Sequence, residues 1–334
     1  MRKTPTAAIF GLEGTALNDA EKRLFSEIDP LGFILFARNC VSPIQLKNLT
    51  DSLRTLLGRE DVLILIDQEG GRVARLKPPQ WQKIPPAGFF AGIADLSISK
   101  GRSTVYANGR LIARDLHAAG INVDCAPLAD VPVKGSHDII GDRAYGDDPH
   151  QVSILAGAMA SGLLDGGVLP VLKHIPGHGR AKSDSHEMLP VVEEGLETLR
   201  KTDFVPFKAL AHLPLGMTAH ILYTVIDAEK PATLSRKVID LIRGEIGFDG
   251  LLMSDDLSMK ALSGDFGTLT RESLAAGCDI VLHCNGKMEE MQPIAKAVIP
   301  LDTKALLRFE RALAQLKTPE PYDYTAAEIL ADSY

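Results

Sequence analysis

Residues 42–67 read SPIQLKNLTDSLRTLLGREDVLILID, and this stretch decides the fold. Ser42 and Pro43 open a helix, with a capping oxygen followed by a residue whose φ is already helical. Leu46, Leu49, Leu53 and Leu56 then recur at helical spacing on one face, and Gly58 closes the segment. The run at 62–66, VLILI, is apolar at every position. A strand with one wet face alternates, so a continuous run predicts a parallel strand covered on both sides. It ends abruptly in a carboxylate, Asp67.

The same unit recurs in both directions along the chain. Apolar runs at 7–11, 32–36, 121–125, 168–172, 215–218, 251–254 and 280–283 join 62–66 to make eight candidate strands. Amphipathic segments at 105–119, 151–166, 235–247, 268–276 and 287–298 lie between them. Strands alternating with helices predict an α/β protein, here a closed (β/α)8 TIM barrel. An open doubly wound sheet is the structural alternative. No GxGxxG follows the first strand, which weighs against a dinucleotide-binding version of it. No linker interrupts the pattern, so 1–334 is read as one domain with a polar, acidic tail at about 319–334 packed loosely or outside the barrel.

Bulk properties narrow the partners. The 334 residues are 45% hydrophobic and 24% charged, ordinary for a globular chain of one barrel's size. A net charge of −7 without a long basic run argues against nucleic acid or an anionic membrane surface as partner. Cys40, Cys125, Cys278 and Cys284 form no CxxC pair, which predicts buried free thiols in a reducing compartment. The N-terminal apolar stretch is interrupted at Glu13, too short and polar for a signal peptide. A cytoplasmic monomer is the default expectation.

Barrel chemistry sits where strands end. The runs lead into Asp67, into Asp124 and Asp130, into Lys173 and His174, and into His220, Asp255 and His283. Charged groups at the tips of buried strands are costly to desolvate, so their recurrence on one rim predicts a polar pocket. Residues 173–186, KHIPGHGRAKSDSH, carry the first strong signal. Lys173 and His174 should leave the strand on opposite faces. Pro176, Gly177 and Gly179 then impose an irregular loop carrying His178, Asp184 and His186. Asp184 stands two residues before His186, close enough in a turn to fix its tautomer and support an imidazolium that acts as acid, then base. Zinc is the alternative for these histidines, but their spacing fits no helix-face or finger arrangement and nearby thiols are lacking. Neither a metal nor a cofactor is expected.

Residues 251–256, LLMSDD, place two aspartates at a strand end. Extended backbone aims them at opposite faces, so one faces the pocket as a fixed nucleophile and the other can cap the next helix. Residues 66–75, IDQEGGRVAR, offer acceptors and two arginines suited to sugar hydroxyls or a carboxylate, and Arg143 in GDRAYG adds another.

At these residues the chain resembles family 3 of the glycoside hydrolases, most of all the single-domain bacterial β-N-acetylglucosaminidases of cell-wall recycling. KHIPGHG with DSH, DQEGGRVAR and SDDLSM carry the likeness, together with GINVDCAPLADV and IGDRAYG, in the family's order. The family usually has Phe where this chain has Ile175, a mild apolar change that puts nothing catalytic in doubt. The resemblance implies a retaining mechanism with Asp255 as nucleophile, His186 as acid/base and Asp184 as its partner. It implies sugar contacts for Asp67, Arg75, Arg143, Lys173 and His174. The substrate it implies is N-acetylglucosaminyl-β-1,4-anhydro-N-acetylmuramic acid, with or without its peptide, a small sugar-containing muropeptide. Two other readings keep the fold: a β-N-acetylglucosaminide phosphorylase, since a histidine acid/base leaves less negative charge where phosphate would attack, and a non-catalytic sugar-binding barrel.

Overall fold

The structure is a computed structural model and describes residues 4–185 and 187–334. Ten strands appear among them: β1 (Thr6–Gly11), β2 (Pro30–Leu35), β3 (Leu63–Ile66), β4 (Val123–Asp124), β5 (Leu169–Ile175), β6 (Val191–Val192), β7 (Leu215–Thr218), β8 (Leu222–Tyr223), β9 (Leu251–Asp256) and β10 (Ile280–His283). Eight of them close a parallel barrel in the order β1-β10-β9-β7-β5-β4-β3-β2, while β6 and β8 pair separately. The barrel expected from alternation is therefore present, and the open sheet is not.

Continuously apolar strands have two buried faces here. Ile9, Leu63, Leu65, Val123, Val171, Met217, Leu251, Met253 and Leu282 share one cluster inside the barrel. Their chain neighbours Phe10, Ile64, Ile66, Leu172, Leu252 and Val281 join a second cluster with the helices. The two-residue strand period alone sorts them.

The helices are α1 (Asp19–Ile28), α2 (Pro43–Leu57), α3 (Ala87–Leu96), α4 (Ile98–Ala118), α5 (Pro149–Asp165), α6 (Leu196–Lys201), α7 (Phe204–Ala209), α8 (Arg236–Leu241), α9 (Phe266–Ala276), α10 (Met288–Ala297), α11 (Thr303–Leu313) and α12 (Thr325–Asp332). In α2, Ser42 Oγ accepts from Gln45 N at 3.3 Å and Gly58 turns left-handed at φ 61°. Leu46, Leu49 and Leu53 are buried on its inner face. The segment at 235–247 is not one regular helix: α8 gives way to a π turn at Ile242–Ile246, where Arg243 reaches over to Gly250 O at 2.7 Å and Asp279 Oδ2 at 2.7 Å.

Six helices among the described residues lie outside the amphipathic segments read from sequence, α1, α3, α6, α7, α11 and α12, and two of them show why. Helix α11 closes the N-terminal end of the barrel, with Leu301, Ala305, Phe309 and Ala312 packed into the internal cluster. Arg308 anchors it to Asp249 and Asp279, just before β9 and β10. The acidic tail lies outside the barrel, folded onto α4. Arg110 lies over the Tyr322 ring at 4.7 Å and Arg114 over Tyr324 at 5.0 Å, while Arg114 pairs with Glu328 and Ala327 and Ala331 are buried. Arginines stacked on aromatic faces provide a contact that a polar composition conceals.

Candidate active site

The strand period also builds the site. On the face that lines the barrel, Leu65 is followed two residues on by Asp67, Val171 by Lys173, Met253 by Asp255 and Leu282 by Cys284. One face thus runs from an apolar plug to a polar rim. Asp67, Lys173, Asp255 and Cys284 line one cavity of about 350 Å³, with Phe36, Arg72, Arg75, Arg143, His174, His178, Ser185, Asp256 and Met259 around them. Small-ligand pockets run from roughly 300 to 1,000 Å³, so this one suits about a single ring.

Both aspartates of β9 border the cavity, and Asp256 is tied to the neighbouring strand end. Asp256 Oδ1 accepts from Ser258 N at 3.0 Å and Cys284 N at 3.1 Å, and Oδ2 accepts from Ser258 Oγ at 2.6 Å. It locks the β9 and β10 ends together. Asp255 continues the lining face and accepts from Asp256 N at 2.8 Å.

Lys173 and His174 do not separate to opposite faces: both line the cavity. The reason is local. Strand β5 continues through them to Ile175, the Lys173–His174 peptide is cis, and the register against β7 shifts between Leu172 and Ile175, so simple alternation is interrupted. Lys173 Nζ lies 3.0 Å from Asp67 Oδ1 and 2.6 Å from Glu69 Oε1. Arg75 Nη2 donates to Asp67 Oδ2 at 3.0 Å. Arg143 donates through Nε and Nη2 to the two oxygens of Glu69, each at 2.8 Å. Burial alone would push the Asp67 carboxyl up, but Lys173 and Arg75 outweigh it and hold it below the ordinary range. Glu69 is likewise depressed, against its burial, by Arg143 and Lys173. Lys173 is raised by Glu69 and Asp67 despite its desolvation. These ions stay charged at neutral pH.

Beneath them lies Asp130, fully buried. His174 Nδ1 sits 2.8 Å from its Oδ2, and His178 N donates to its Oδ1 at 2.5 Å. His178 Nε2 is 3.2 Å from Ser185 Oγ, which joins the strand end to the far side of the loop. Burial, then the neighbouring His174, push the His178 imidazole down to about 4, so it is neutral at pH 7. Burial holds the Cys284 thiol well above its ordinary value, which removes it as a competing nucleophile. Tyr223 Oη donates to Gly177 O, Arg180 Nε donates to Asp203 Oδ2 at 2.7 Å, and Val133 N and His137 N donate to Gly179 O and Ala181 O. The first half of the loop is thereby anchored. Asp184 is half-buried beyond it, and its carbonyl accepts from Glu187 N and Met188 N at 3.0 Å each. His186, the expected acid/base, lies outside the described residues.

Four of the rim residues expected from sequence, Asp124, Asp130, His220 and His283, do not line the cavity. His220 is buried beneath it, holding Thr233 Oγ1 at 2.7 Å and Asp256 O at 3.0 Å. His283 faces the helices, 3.0 Å from Glu290. Glu69 escaped the sequence reading of the site, although it stands two residues after Asp67 and so shares its direction.

Comparison with known proteins gives the same picture. Residues 10–315 match the family model described as the glycosyl hydrolase family 3 N terminal domain. A β-hexosaminidase of Alkalilimnicola ehrlichii is 40% identical over 282 residues, 83% of this chain and 80% of that protein. One of Pseudomonas aeruginosa is 37% identical over 278 residues, 82% of this chain and 81% of its own. The crystal structure of NagZ from Neisseria gonorrhoeae with N-trifluoroacetyl-D-glucosamine superposes with TM-score 0.90 at 30% identity, over 99% of this chain and 98% of that one. The barrel, the charged pocket at its C-terminal rim and these likenesses agree, and the chain belongs to glycosyl hydrolase family 3.

Proposed function

We propose that this glycoside hydrolase is a retaining exo-β-N-acetylglucosaminidase. It removes the terminal N-acetylglucosamine from β-1,4-linked N-acetylglucosaminyl-anhydro-N-acetylmuramic acid, with or without its peptide, in the cytoplasmic recycling of cell-wall fragments. One observation carries the reading: Asp255 extends the lining face of β9 into a one-ring pocket whose other walls carry Asp67, Arg75, Lys173 and Arg143. β-Hexosaminidase is also the name borne by the relatives above.

In this mechanism the Asp255 carboxylate attacks the anomeric carbon and the bond to the leaving oxygen breaks. His186, supported by Asp184, protonates that oxygen. Neutral His186 then takes a proton from the water that releases the sugar from Asp255. Asp67, Arg75, Arg143, Lys173 and His174 hold the ring. His178 is too weak a base to replace His186 as the acid near neutral pH. No helix among the described residues is long and apolar enough to cross a membrane, and all four cysteines are free, which is compatible with a reducing compartment. The enzyme is taken to act as a monomer without a cofactor.

The test uses 4-nitrophenyl N-acetyl-β-D-glucosaminide, with and without inorganic phosphate, beside Asp255→Ala. Phosphate-independent release of nitrophenol by the wild type, with a loss of at least roughly 1,000-fold in the variant, is the expected outcome. Release that requires phosphate and yields the sugar phosphate makes the protein a phosphorylase. Binding of the sugar without turnover would leave only the non-catalytic barrel.

A further inference from the structure

Glu69 follows β3 at the cavity's edge with 9% of its surface exposed, and it is not among the residues lining the cavity. It sits behind two residues that do. Its carboxylate closes a bidentate pair with Arg143 and lies 2.6 Å from Lys173 Nζ. Asp67 continues the row, joining Lys173 to Arg75. Three cations therefore alternate with two carboxylates along one wall.

Donor arithmetic shows what this row does. A guanidinium carries five N–H donors and an ammonium three. Arg143 spends Nε and one Nη2 hydrogen on Glu69, and one Nη1 hydrogen on Ile139 O at 3.1 Å. Lys173 spends one on Asp67 and one on Glu69. What remains, two hydrogens on Arg143 and one on Lys173, has a direction set by Glu69. A planar fork gripped along its Nε edge cannot rotate, and an ammonium held at two points has only one free donor.

We propose that Glu69 is a positioning residue for the sugar pocket: without touching the sugar, it aims the unspent donors of Arg143 and Lys173 at ring hydroxyls. This rests on the β-N-acetylglucosaminidase reading above. Glu69→Gln keeps the size but offers one acceptor where two cations need three acceptor contacts, and its amide hydrogens oppose theirs. Both cations lose their fixed aim.

The experiment compares wild type, Glu69→Gln and Glu69→Asp on 4-nitrophenyl N-acetyl-β-D-glucosaminide and its 3-, 4- and 6-deoxy analogues. Melting curves confirm that each variant is folded at the assay temperature. Glu69→Gln should lose roughly 10- to 100-fold in kcat/KM, the worth of one or two charged hydrogen bonds. For at least one deoxy analogue, the penalty seen with wild type should shrink towards none in the variant, because the donor that read that hydroxyl is no longer aimed at it. Glu69→Asp retains the charge one carbon short, and should show the same pattern at smaller size, including where Glu69→Gln does not fold. Wild-type kcat/KM in a folded Glu69→Gln overturns the proposal, as does a uniform loss with every deoxy penalty intact. No release by the wild type overturns the activity reading and this inference with it.

Discussion

Asp124 shows how one residue can be charged by sequence and neutral in the fold. It closes β4, faces away from the barrel interior, and is fully buried with Oδ2 lacking a hydrogen-bond partner among the described residues. Desolvation raises its carboxyl from the ordinary 3.8 to about 8, although Gln68 N donates to it and Lys173 lies near. The unfolded carboxyl ionises first, so between about pH 4 and about pH 8 folding takes up a proton and this group's contribution falls as pH rises. Asp124→Asn removes that dependence. The melting temperature of the variant, relative to wild type, should rise between about pH 5 and about pH 8. A difference independent of pH in thermal melts would show that Asp124 does not titrate in this window. The same residue-scale logic separates Asp255 from Asp256. Adjacent identical side chains diverge because one continues the lining face and the other is used up by Ser258 and Cys284.

At the scale of elements, the loop after β5 behaves as two pieces. Residues 177–181 are pinned by Tyr223, Arg180 and the backbone of 133–137, while Lys182 is exposed. A lid hinged at Gly177 would have to break these bonds, and Ser185 is held in turn by His178 and by Ala261 N, so opening that spares them is confined to the stretch between Ala181 and Ser185. Amides of His178 and Ala181, bonded to Asp130 and His178 O, should exchange slowly. Those of Lys182 and Ser183 should exchange fast and gain protection when N-acetylglucosamine is added. Gly179 is the joint between the pieces and their neighbour: a Cβ there would meet Val131 O at 1.9 Å. Backbone cannot yield as a side chain tip does. Gly179→Ala should therefore cost roughly 1–3 kcal/mol in denaturant unfolding. It should also lower kcat/KM by at least about tenfold if the loop carries the proposed acid/base, since misplacing it spoils the geometry. Full activity would mean that the loop's seat on Val131 is dispensable.

The whole molecule divides its barrel into a structural end and a chemical end. Phe309 of α11, 2% exposed, packs into the internal cluster at the end opposite Asp255. Phe309→Ala should lower unfolding stability by roughly 3–5 kcal/mol through the cavity it leaves. At temperatures where the variant stays folded, kcat/KM should match wild type within about twofold. A larger loss would reveal coupling across the barrel axis. The N-terminal end can be plugged by the apolar face of a helix because parallel strands send all their C-terminal tips, and with them the loops that follow each strand, to the other rim.

Local signals determined much of this. Continuous apolar runs, the Ser42–Gly58 helix grammar and carboxylates at strand tips follow from burial on two faces and from backbone capping, both local in sequence. They were enough for the barrel, for its rim and for the membership implied by KHIPGHG, DSH and SDDLSM. Tertiary structure alone decided which charges meet. Glu69 joins Arg143 across 74 positions and Lys173 across 104, and His220 and His283 turn away from the pocket their neighbours build. Ion pairing depends on separation in space within a low-dielectric pocket, and no sequence period encodes that separation. The tail and α11 were illegible for a related reason: the surfaces they cover, the barrel floor and the face of α4, exist only once the barrel has closed.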